Sequence, residues 1–359
     1  MATLENKSII YREIPDGLPT STHLSLESST IPASAPAGGL LLQTLYLSLD
    51  PYLRGRMRDP ETKTYSEAYV LGEPLSNFGI SRVLDVSSTG AAAASGLKKG
   101  DLVGSPFAKT QFRLYQPVPE EQVAHYAKIE EKAGVPLTYF LGILGMPGMT
   151  AYHGLVNVGG PLKAGETLLV SAASGAVGQI VGQLGKQFGM RVVGSVGSDE
   201  KVKYVTEELG FDAAWNYNAE KDPYAAIDKY IPEGIDVYFD NVGGPLADAV
   251  FLKAKVNGRI VVCGTISQYN TPREQQYGMK NYMEVFQRRL TIKGFIILDT
   301  MINEPGTIQS IVGSVAGMVG EGKIKFKEDV VEGIENTVSA FQGLLTGKNN
   351  GKLVLKYSD

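Results

Sequence analysis

Apolar positions along the chain change their spacing once. Up to about residue 140 they fall in short runs broken by Gly and Pro, among them Leu40 to Leu49, Gly79 to Val86 and Asp101 to Phe107. That texture predicts short strands of an irregular barrel or sandwich. From about residue 150 apolar strands alternate with segments of helical period. Six strands are expected: Thr167 to Ala173, Arg191 to Val196, Ala213 to Tyr217, Ile235 to Val242, Arg259 to Thr265 and Thr291 to Ile297. Helices are expected over Val177 to Phe188 and over Asp199 to Leu209, the second closed by Gly210 at the position where a terminating glycine belongs. Strands joined by helical crossovers predict a doubly wound parallel sheet, an α/β architecture. Residues 306 to 320 read as a helix, after which Lys325 to Val331 and Leu353 to Lys356 return to short strands. The expected division is therefore 141–305 for the parallel-sheet domain, with 1–140 and 306–359 together forming a mainly β domain. No internal repeat or low-complexity tract interrupts it.

The first βα junction carries the first candidate chemistry. Thr167 to Ala173 runs into Ser174-Gly175-Ala176-Val177-Gly178, and a helix follows at once. In that context Gly175 lets backbone approach a pyrophosphate, Gly178 lets the helix pack on the strand, and the helix N-terminus offers N–H donors to the anion. Ala173 stands where the usual motif begins with glycine. At the first turn of a six-stranded sheet, the loop predicts dinucleotide binding.

The end of the second strand bears on the choice between NADH and NADPH. Asp199 lies roughly 20 residues past the loop, the place where an acid would meet a ribose 2′-hydroxyl. Ser198-Asp199-Glu200 also fits a helix cap with an acidic first turn, which directs the acids to the helix dipole. Lys201 is then placed to meet a 2′-phosphate, and the expectation is NADP(H).

Composition narrows the remaining classes. A chain of 359 residues, 43% hydrophobic and 20% charged, is long enough for two domains, and its net charge of −4 leaves no basic footprint for nucleic acid. Lys98-Lys99, Arg288-Arg289 and the alternating Lys323, Lys325 and Lys327 read as solvated faces or phosphate contacts rather than a polyanion groove. No run of about 18 uncharged apolar residues is present, so no membrane span is expected, and the start of the chain does not read as a secretory signal. With Cys263 the only cysteine, a reducing compartment, the cytoplasm, is the expectation. Catalytic zinc takes three protein ligands. Beside Cys263 stand only His23, His125 and His153, at spacings that suggest no shared site. No metal is expected. Without a Lewis acid at oxygen, conjugate addition of hydride to a β-carbon is the better-suited chemistry, because the enolate needs only hydrogen-bond donors and a proton at the α-carbon.

Six stretches, in order over nearly the whole length, carry a resemblance: Leu49-Asp50-Pro51-Tyr52-Leu53-Arg54-Gly55-Arg56-Met57, Gly145 to Tyr152, Ala173 to Gly178, Asp240-Asn241-Val242-Gly243-Gly244, Cys263-Gly264-Thr265-Ile266-Ser267 and Lys348 to Lys352. With these the chain resembles the leukotriene B4 12-hydroxydehydrogenase, prostaglandin and alkenal reductase branch of the medium-chain dehydrogenase/reductase superfamily, which is zinc-free. The resemblance implies a six-stranded Rossmann domain beside a GroES-like, mainly β domain. It implies NADPH-dependent reduction of the C=C bond of α,β-unsaturated aldehydes and ketones, by hydride transfer to the β-carbon, in a homodimer or a monomer. It assigns the pyrophosphate loop to Gly175, Ala176, Val177 and Gly178. Lys201 and Tyr217 match its 2′-phosphate and ribose contacts, and Asn241 a further cofactor contact. The loop Cys263, Gly264, Thr265, Ile266, Ser267, Gln268 and Tyr269 matches the one along the nicotinamide, Thr150 a neighbour of its carboxamide, Phe295, Ile296 and Ile297 the strand beside it, and Asn349 the returning C-terminal contact. Tyr52 resembles a substrate-contacting tyrosine, with Tyr269 a second candidate; either could equally be a packing residue.

One departure matters. Several relatives carry a tyrosine at the position held here by Gln287, so no proton donor transfers to it. Two other readings stay open: a zinc-free alcohol dehydrogenase or quinone reductase on the same fold, and a non-enzymatic dinucleotide-binding protein.

Overall fold

A computed structural model describes residues 2–359, which divide into two compact units. One comprises residues 2–141, Asp329–Thr346 and Leu353–Asp359; the other comprises Gly142–Glu328 and Gly347–Lys352.

The second unit is built on a six-stranded parallel sheet. Its spatial order is Ala213–Asn216, Arg191–Val196, Thr167–Ser171, Ile235–Asp240, Ala254–Val262, Thr291–Gly294. In chain order this is 3-2-1-4-5-6, the doubly wound arrangement in which the winding reverses between the first and fourth strands. Thr167–Ser171 is buried at every position, as a strand covered by helices on both faces must be. Leu169, Val193, Trp215, Tyr238, Val250 and Phe251 join in one core on this sheet. Helices occupy Gly178–Gln187, Asp199–Lys203, Pro223–Tyr230 and Gly244–Lys253; the second continues as a π-helical turn, Tyr204–Glu208, before Gly210 at φ 75°.

Three expectations about elements are corrected. The sixth strand stops at Gly294, and Ile297 opens a helix, Ile297–Asn303, so Phe295, Ile296 and Ile297 are not a strand. The helix Pro305–Gly320 belongs to the second unit: it packs on Met146–Tyr152 and buries Ile311 and Val315, and the chain rejoins the first unit at Asp329 rather than at 306. The strand expected from Lys325 begins only at Glu328. Upstream of it the backbone is bonded to side chains, with Lys325 N–H donating to Gln183 Oε1 (2.8 Å) and Lys327 N–H to Gln179 Oε1 (2.9 Å). Those two glutamines, a turn apart on Gly178–Gln187, supply what a neighbouring strand would supply.

The first unit is mainly β. Leu40–Ser48 is central in a seven-stranded sheet and pairs antiparallel with Gly79–Val86, with Tyr115–Val118 and with Lys352–Lys356. A hairpin of Thr3–Tyr11 and Leu24–Pro32 adds Ile9, Tyr11 and Leu24 to a core with Leu47, Leu53, Phe112, Phe341 and Leu355. Among the described residues no helix is long and apolar enough to cross a membrane.

Candidate functional site

The candidate phosphate loop, residues 172–178, leaves the first strand where the winding of the sheet reverses. Ala172 takes a left-handed turn at φ 48°, Gly175 N–H closes back on Ala172 C=O (2.9 Å), and the ten-residue helix starts at Gly178. A β-carbon on Gly178 would lie 2.4 Å from that same Ala172 carbonyl oxygen, so only glycine lets the helix begin so close to the strand. The missing first glycine is answered across the sheet: a β-carbon on Gly194 would meet the Ala173 methyl at 2.7 Å, so the space that Ala173 takes is given up by the second strand. Across the reversal, Asn241 Nδ2 donates to Ser171 C=O (2.7 Å) and its N–H to Ser171 Oγ (2.9 Å), tying the ends of the first and fourth strands together. Gly351 forms a parallel bridge with Gly175, and Asn349 Nδ2 donates to Gly351 C=O (2.8 Å), so the segment Gly347–Lys352 lies along the loop. The first turn of a helix is where backbone N–H groups can take an anion.

The end of the second strand builds a cationic corner. Ser198 is the extended N-cap, accepting from Lys201 N–H through Oγ (3.2 Å), with Asp199 and Glu200 in the first turn. Asp199 is engaged sideways, its Oδ1 accepting from Asn216 Nδ2 (2.8 Å). Lys201 is buried and sends its ammonium to Gly347 C=O (2.7 Å). The Tyr217 hydroxyl stands 2.8 Å from where a β-carbon on Gly197 would be and 3.2 Å from one on Gly347, so Lys201 and Tyr217 frame the same edge. The acid that an NAD site would use is thus held by an asparagine, while the lysine reaches inward.

The fourth and fifth strands end in two interlocked turns. Asp240, buried, accepts at Oδ1 from Val242 N–H (2.9 Å), Gly243 N–H (2.8 Å) and the Tyr238 hydroxyl (2.8 Å), while its own C=O accepts from Cys263 N–H (2.8 Å) and Gly264 N–H (3.1 Å). Burial raises this carboxyl above its ordinary range against the pull of those donors. Ile266 N–H and Ser267 N–H then donate to Asn241 and Val242 C=O (both 3.2 Å), and Ser267 Oγ to Val242 C=O (2.6 Å). Cys263 to Thr265 is therefore a loop, capped by a short 3₁₀ turn, Ile266–Gln268, and Tyr269 folds its hydroxyl back to 3.4 Å from Thr265 N–H. Burial pushes the Cys263 thiol up to about 12, which leaves it a packing group rather than a nucleophile. Thr150 donates its hydroxyl to Met146 C=O (2.7 Å) within its helix. Phe295 lies against His153 and edge-on to Phe239, with ring centroids 5.6 and 6.5 Å apart, and Gly154 beside it leaves room for the two phenylalanine rings.

Tyr52 lies in the first unit, in a network that sequence spacing did not reveal. Its hydroxyl donates to Asn77 Oδ1 (2.5 Å); Asn77 Nδ2 donates to Ser48 C=O (2.8 Å) and Asp50 Oδ2 (2.9 Å); and Ser48 Oγ donates to the same carboxylate oxygen. Asn77 is fully buried, and burial raises the Tyr52 hydroxyl well above its ordinary value, the Asp50 charge adding to it. The tyrosine is thus a neutral donor whose proton is committed to Asn77. Gln287 is exposed at the end of a short helix, Glu284–Gln287. Among the described residues no three His, Cys, Asp or Glu side chains gather where they could share a metal ion.

Comparison with known proteins agrees along the chain. Residues 7–123 match a family described as the N-terminal domain of oxidoreductase, and residues 176–312 one described as zinc-binding dehydrogenase. The chain is 41% identical over 357 residues to a 2-alkenal reductase (NADP(+)-dependent) of Nicotiana tabacum, with 99% of this chain and 98% of that one covered. To the (+)-pulegone reductase of Mentha piperita it is 38% identical, with 98% of each chain covered. Among solved structures, CurA of Vibrio vulnificus in complex with NADPH superposes with a TM-score of 0.87 at 35% identity, covering 98% of this chain and 99% of that one.

Proposed function

We propose a reaction for this chain, which belongs to the zinc-free alkenal-reductase branch of the medium-chain dehydrogenase/reductase superfamily. It is an NADP(H)-dependent oxidoreductase, and the reading we advance is reduction of the C=C bond of α,β-unsaturated aldehydes and ketones. The observation that carries the cofactor half is the corner at the second strand, where Ser198 caps the helix, Asn216 holds Asp199 and Lys201 points inward. A 2′-phosphate would replace the Gly347 carbonyl as the partner of Lys201, and Tyr217 would flank it. Gly175, Ala176, Val177 and Gly178 would take the pyrophosphate on the helix N-terminus, with Asn241 and Asn349 at its borders.

A bound reduced nicotinamide would supply a hydride to the β-carbon; the C=C π pair would become the new bond between the α-carbon and the carbonyl carbon, and the carbonyl π pair would move to oxygen, giving an enolate. A solvent proton then adds at the α-carbon. The loop Cys263 to Tyr269, with Thr150 and Phe295 to Ile297, is our assignment for the walls of the nicotinamide. Tyr52 and Tyr269 are assigned to the substrate, Tyr52 on its Asp50-Pro51-Tyr52 motif. To donate to an enolate, Tyr52 would exchange its Asn77 acceptor for the carbonyl oxygen, and its raised pKa keeps the proton available for that bond throughout the ordinary pH range. The assembly we propose is a cytoplasmic homodimer, read by sedimentation.

The test uses NADPH deuterated at the transferred position, with an enal, its saturated alcohol plus NADP⁺, and a quinone. We expect label at the β-carbon of the saturated aldehyde. Label at the carbonyl carbon, with an allylic alcohol as product, would overturn the reading, as would a preference for the alcohol or the quinone. Tyr52→Phe is expected to lower kcat/KM for the enone roughly ten- to a thousandfold at near-constant NADPH affinity. Activity is expected to survive exhaustive chelation.

A further inference from the structure

Asp248 is the most elaborately bonded carboxylate of the second unit outside the turns already described. It sits one turn into the helix Gly244–Lys253, and its relative exposure is 0%. Its Oδ1 accepts from Lys280 N–H (2.9 Å) and Asn281 N–H (2.8 Å). Its Oδ2 accepts from the Tyr277 hydroxyl (2.9 Å) and the Tyr224 hydroxyl (3.3 Å). Asn281 Nδ2 closes the cluster by donating to the Tyr224 oxygen (2.9 Å) and to Asp248 C=O (3.0 Å). Each of these four donors to the carboxylate is uncharged. A buried carboxylate held by neutral donors alone is costly, and a stabilised core would be reached more cheaply with an apolar side chain. What the carboxylate does that an apolar side chain cannot is fix the position of the segment between residues 277 and 281.

That segment continues the loop assigned to the nicotinamide. Tyr277 N–H donates to Gln268 Oε1 (2.8 Å), Gln268 Nε2 donates to Ser267 Oγ (2.8 Å), and Ser267 Oγ donates to Val242 C=O (2.6 Å). Tyr277 is therefore gripped at both ends, its hydroxyl by Asp248 and its backbone by Gln268. The chain of bonds runs without a break from the helix, through Tyr277 and the 3₁₀ turn, to the Asp240–Gly244 turn. We propose that Asp248 is a positioning residue for the nicotinamide end of the cofactor, acting through Tyr277 on Gln268 and so on the loop Cys263 to Tyr269. This rests on the assignment of that loop to the nicotinamide. Asp248 touches neither cofactor nor substrate; it sets where the loop's polar groups stand.

A residue with this role is distinguished from one that merely stabilises the fold by which half of the cofactor it affects. NADPH and 2′-phospho-ADP-ribose share the adenosine, 2′-phosphate and pyrophosphate contacts, and only NADPH reaches the Cys263–Tyr269 loop. Dissociation constants for both ligands should be measured by calorimetry on the full chain carrying Asp248→Ala, Asp248→Asn or Tyr277→Phe. Asp248→Ala and Tyr277→Phe are expected to weaken NADPH threefold or more while 2′-phospho-ADP-ribose stays within twofold of wild type. Asp248→Asn should restore NADPH to within twofold. Its amide oxygen can face the two backbone N–H groups while its NH₂ donates to the two tyrosine oxygens, which serve as acceptors as readily as donors. Equal weakening of both ligands, or no weakening of either, would overturn the proposal. Should Asp248→Ala fail to fold, Tyr277→Phe decides alone, since it deletes one oxygen and keeps the ring. The measurement is independent of turnover: a wild type that binds NADPH but leaves enals untouched would sink the reaction and still test Asp248.

Discussion

The loop after the first parallel strand and the Tyr52 network solve the same problem, holding a polar group in place, by opposite means. At the loop the work is done by backbone: the turn at Ala172, the close start of the helix at Gly178 and the bridge between Gly175 and Gly351. Around Tyr52 it is done by side chains from separate strands and turns, with Asn77 bonded to Ser48, Asp50 and Tyr52 at once. Backbone devices tolerate changes of side chain provided that glycine stays where space demands it, whereas a side-chain network fails at any member. The loop is sensitive to added atoms and the network to removed ones.

The largest effect should come from adding atoms to the loop. Gly178→Val places side-chain carbon against the Ala172 carbonyl, 2.4 Å from where a β-carbon would be, and the obstacle is backbone that cannot rotate away. Overpacking of this kind costs about 3 kcal/mol or more. We expect NADPH binding to be lost, by calorimetry, along with a lowered melting temperature. Wild-type affinity in this variant would show that the helix start is not what shapes the loop. The converse test removes atoms from the network. Asn77→Ala takes away three hydrogen bonds in a fully buried setting, which should cost roughly 2–4 kcal/mol by denaturant unfolding at unchanged NADPH affinity. Loss of cofactor affinity instead would erase the distinction between the two regions.

These two regions also differ in how far the sequence foretold them. The loop was legible because its devices are local: a strand, a glycine at a fixed offset and a helix follow one another within a dozen residues. So was the Ser198 cap, since a cap and its N–H partner are three residues apart. Tyr52 was singled out by its motif, but Asn77 was not, because nothing in spacing links it to Ser48 or Asp50. Asp248 was missed for the same reason, its partners lying at Tyr224 and at residues 277 to 281. Gln179 and Gln183 were missed as well, and with them the late start of the strand at Glu328. Phe295 to Ile297 misled in a different way. An apolar run of this length serves a strand or a buried helix start equally, and period alone does not choose between them.

A third effect, of intermediate size, tests the corner at the end of the second strand. Lys201→Ala removes one charge-assisted contact, about 1.5–3 kcal/mol, and should weaken NADPH roughly ten- to a hundredfold while NADH is little changed. Because Lys201 also holds Gly347, the segment Gly347–Lys352 should exchange its amide hydrogens faster in this variant. A wild type with equal affinity for NADPH and NADH would remove the basis for this prediction.

The smallest effect concerns His153, which stands between the two styles, being placed by a π-helical turn yet surrounded by side chains. Its ring lies against Phe295, Nε2 is 3.4 Å from the Thr300 hydroxyl, and burial lowers its pKa, with the Glu304 charge opposing. A histidine whose folded value is depressed is neutral in both folded and unfolded states above about pH 6.5. Below that pH the unfolded chain takes up the proton more readily than the folded one, so the contribution to stability is present above the unfolded value and is lost as pH falls. The wild type should therefore lose more stability between pH 7.5 and 5.5 than His153→Asn does, by an amount on the order of a degree in melting temperature. Identical pH profiles would mean that the ring titrates as though it were in water. A steeper profile in the variant would mean that Glu304, rather than burial, governs the ring.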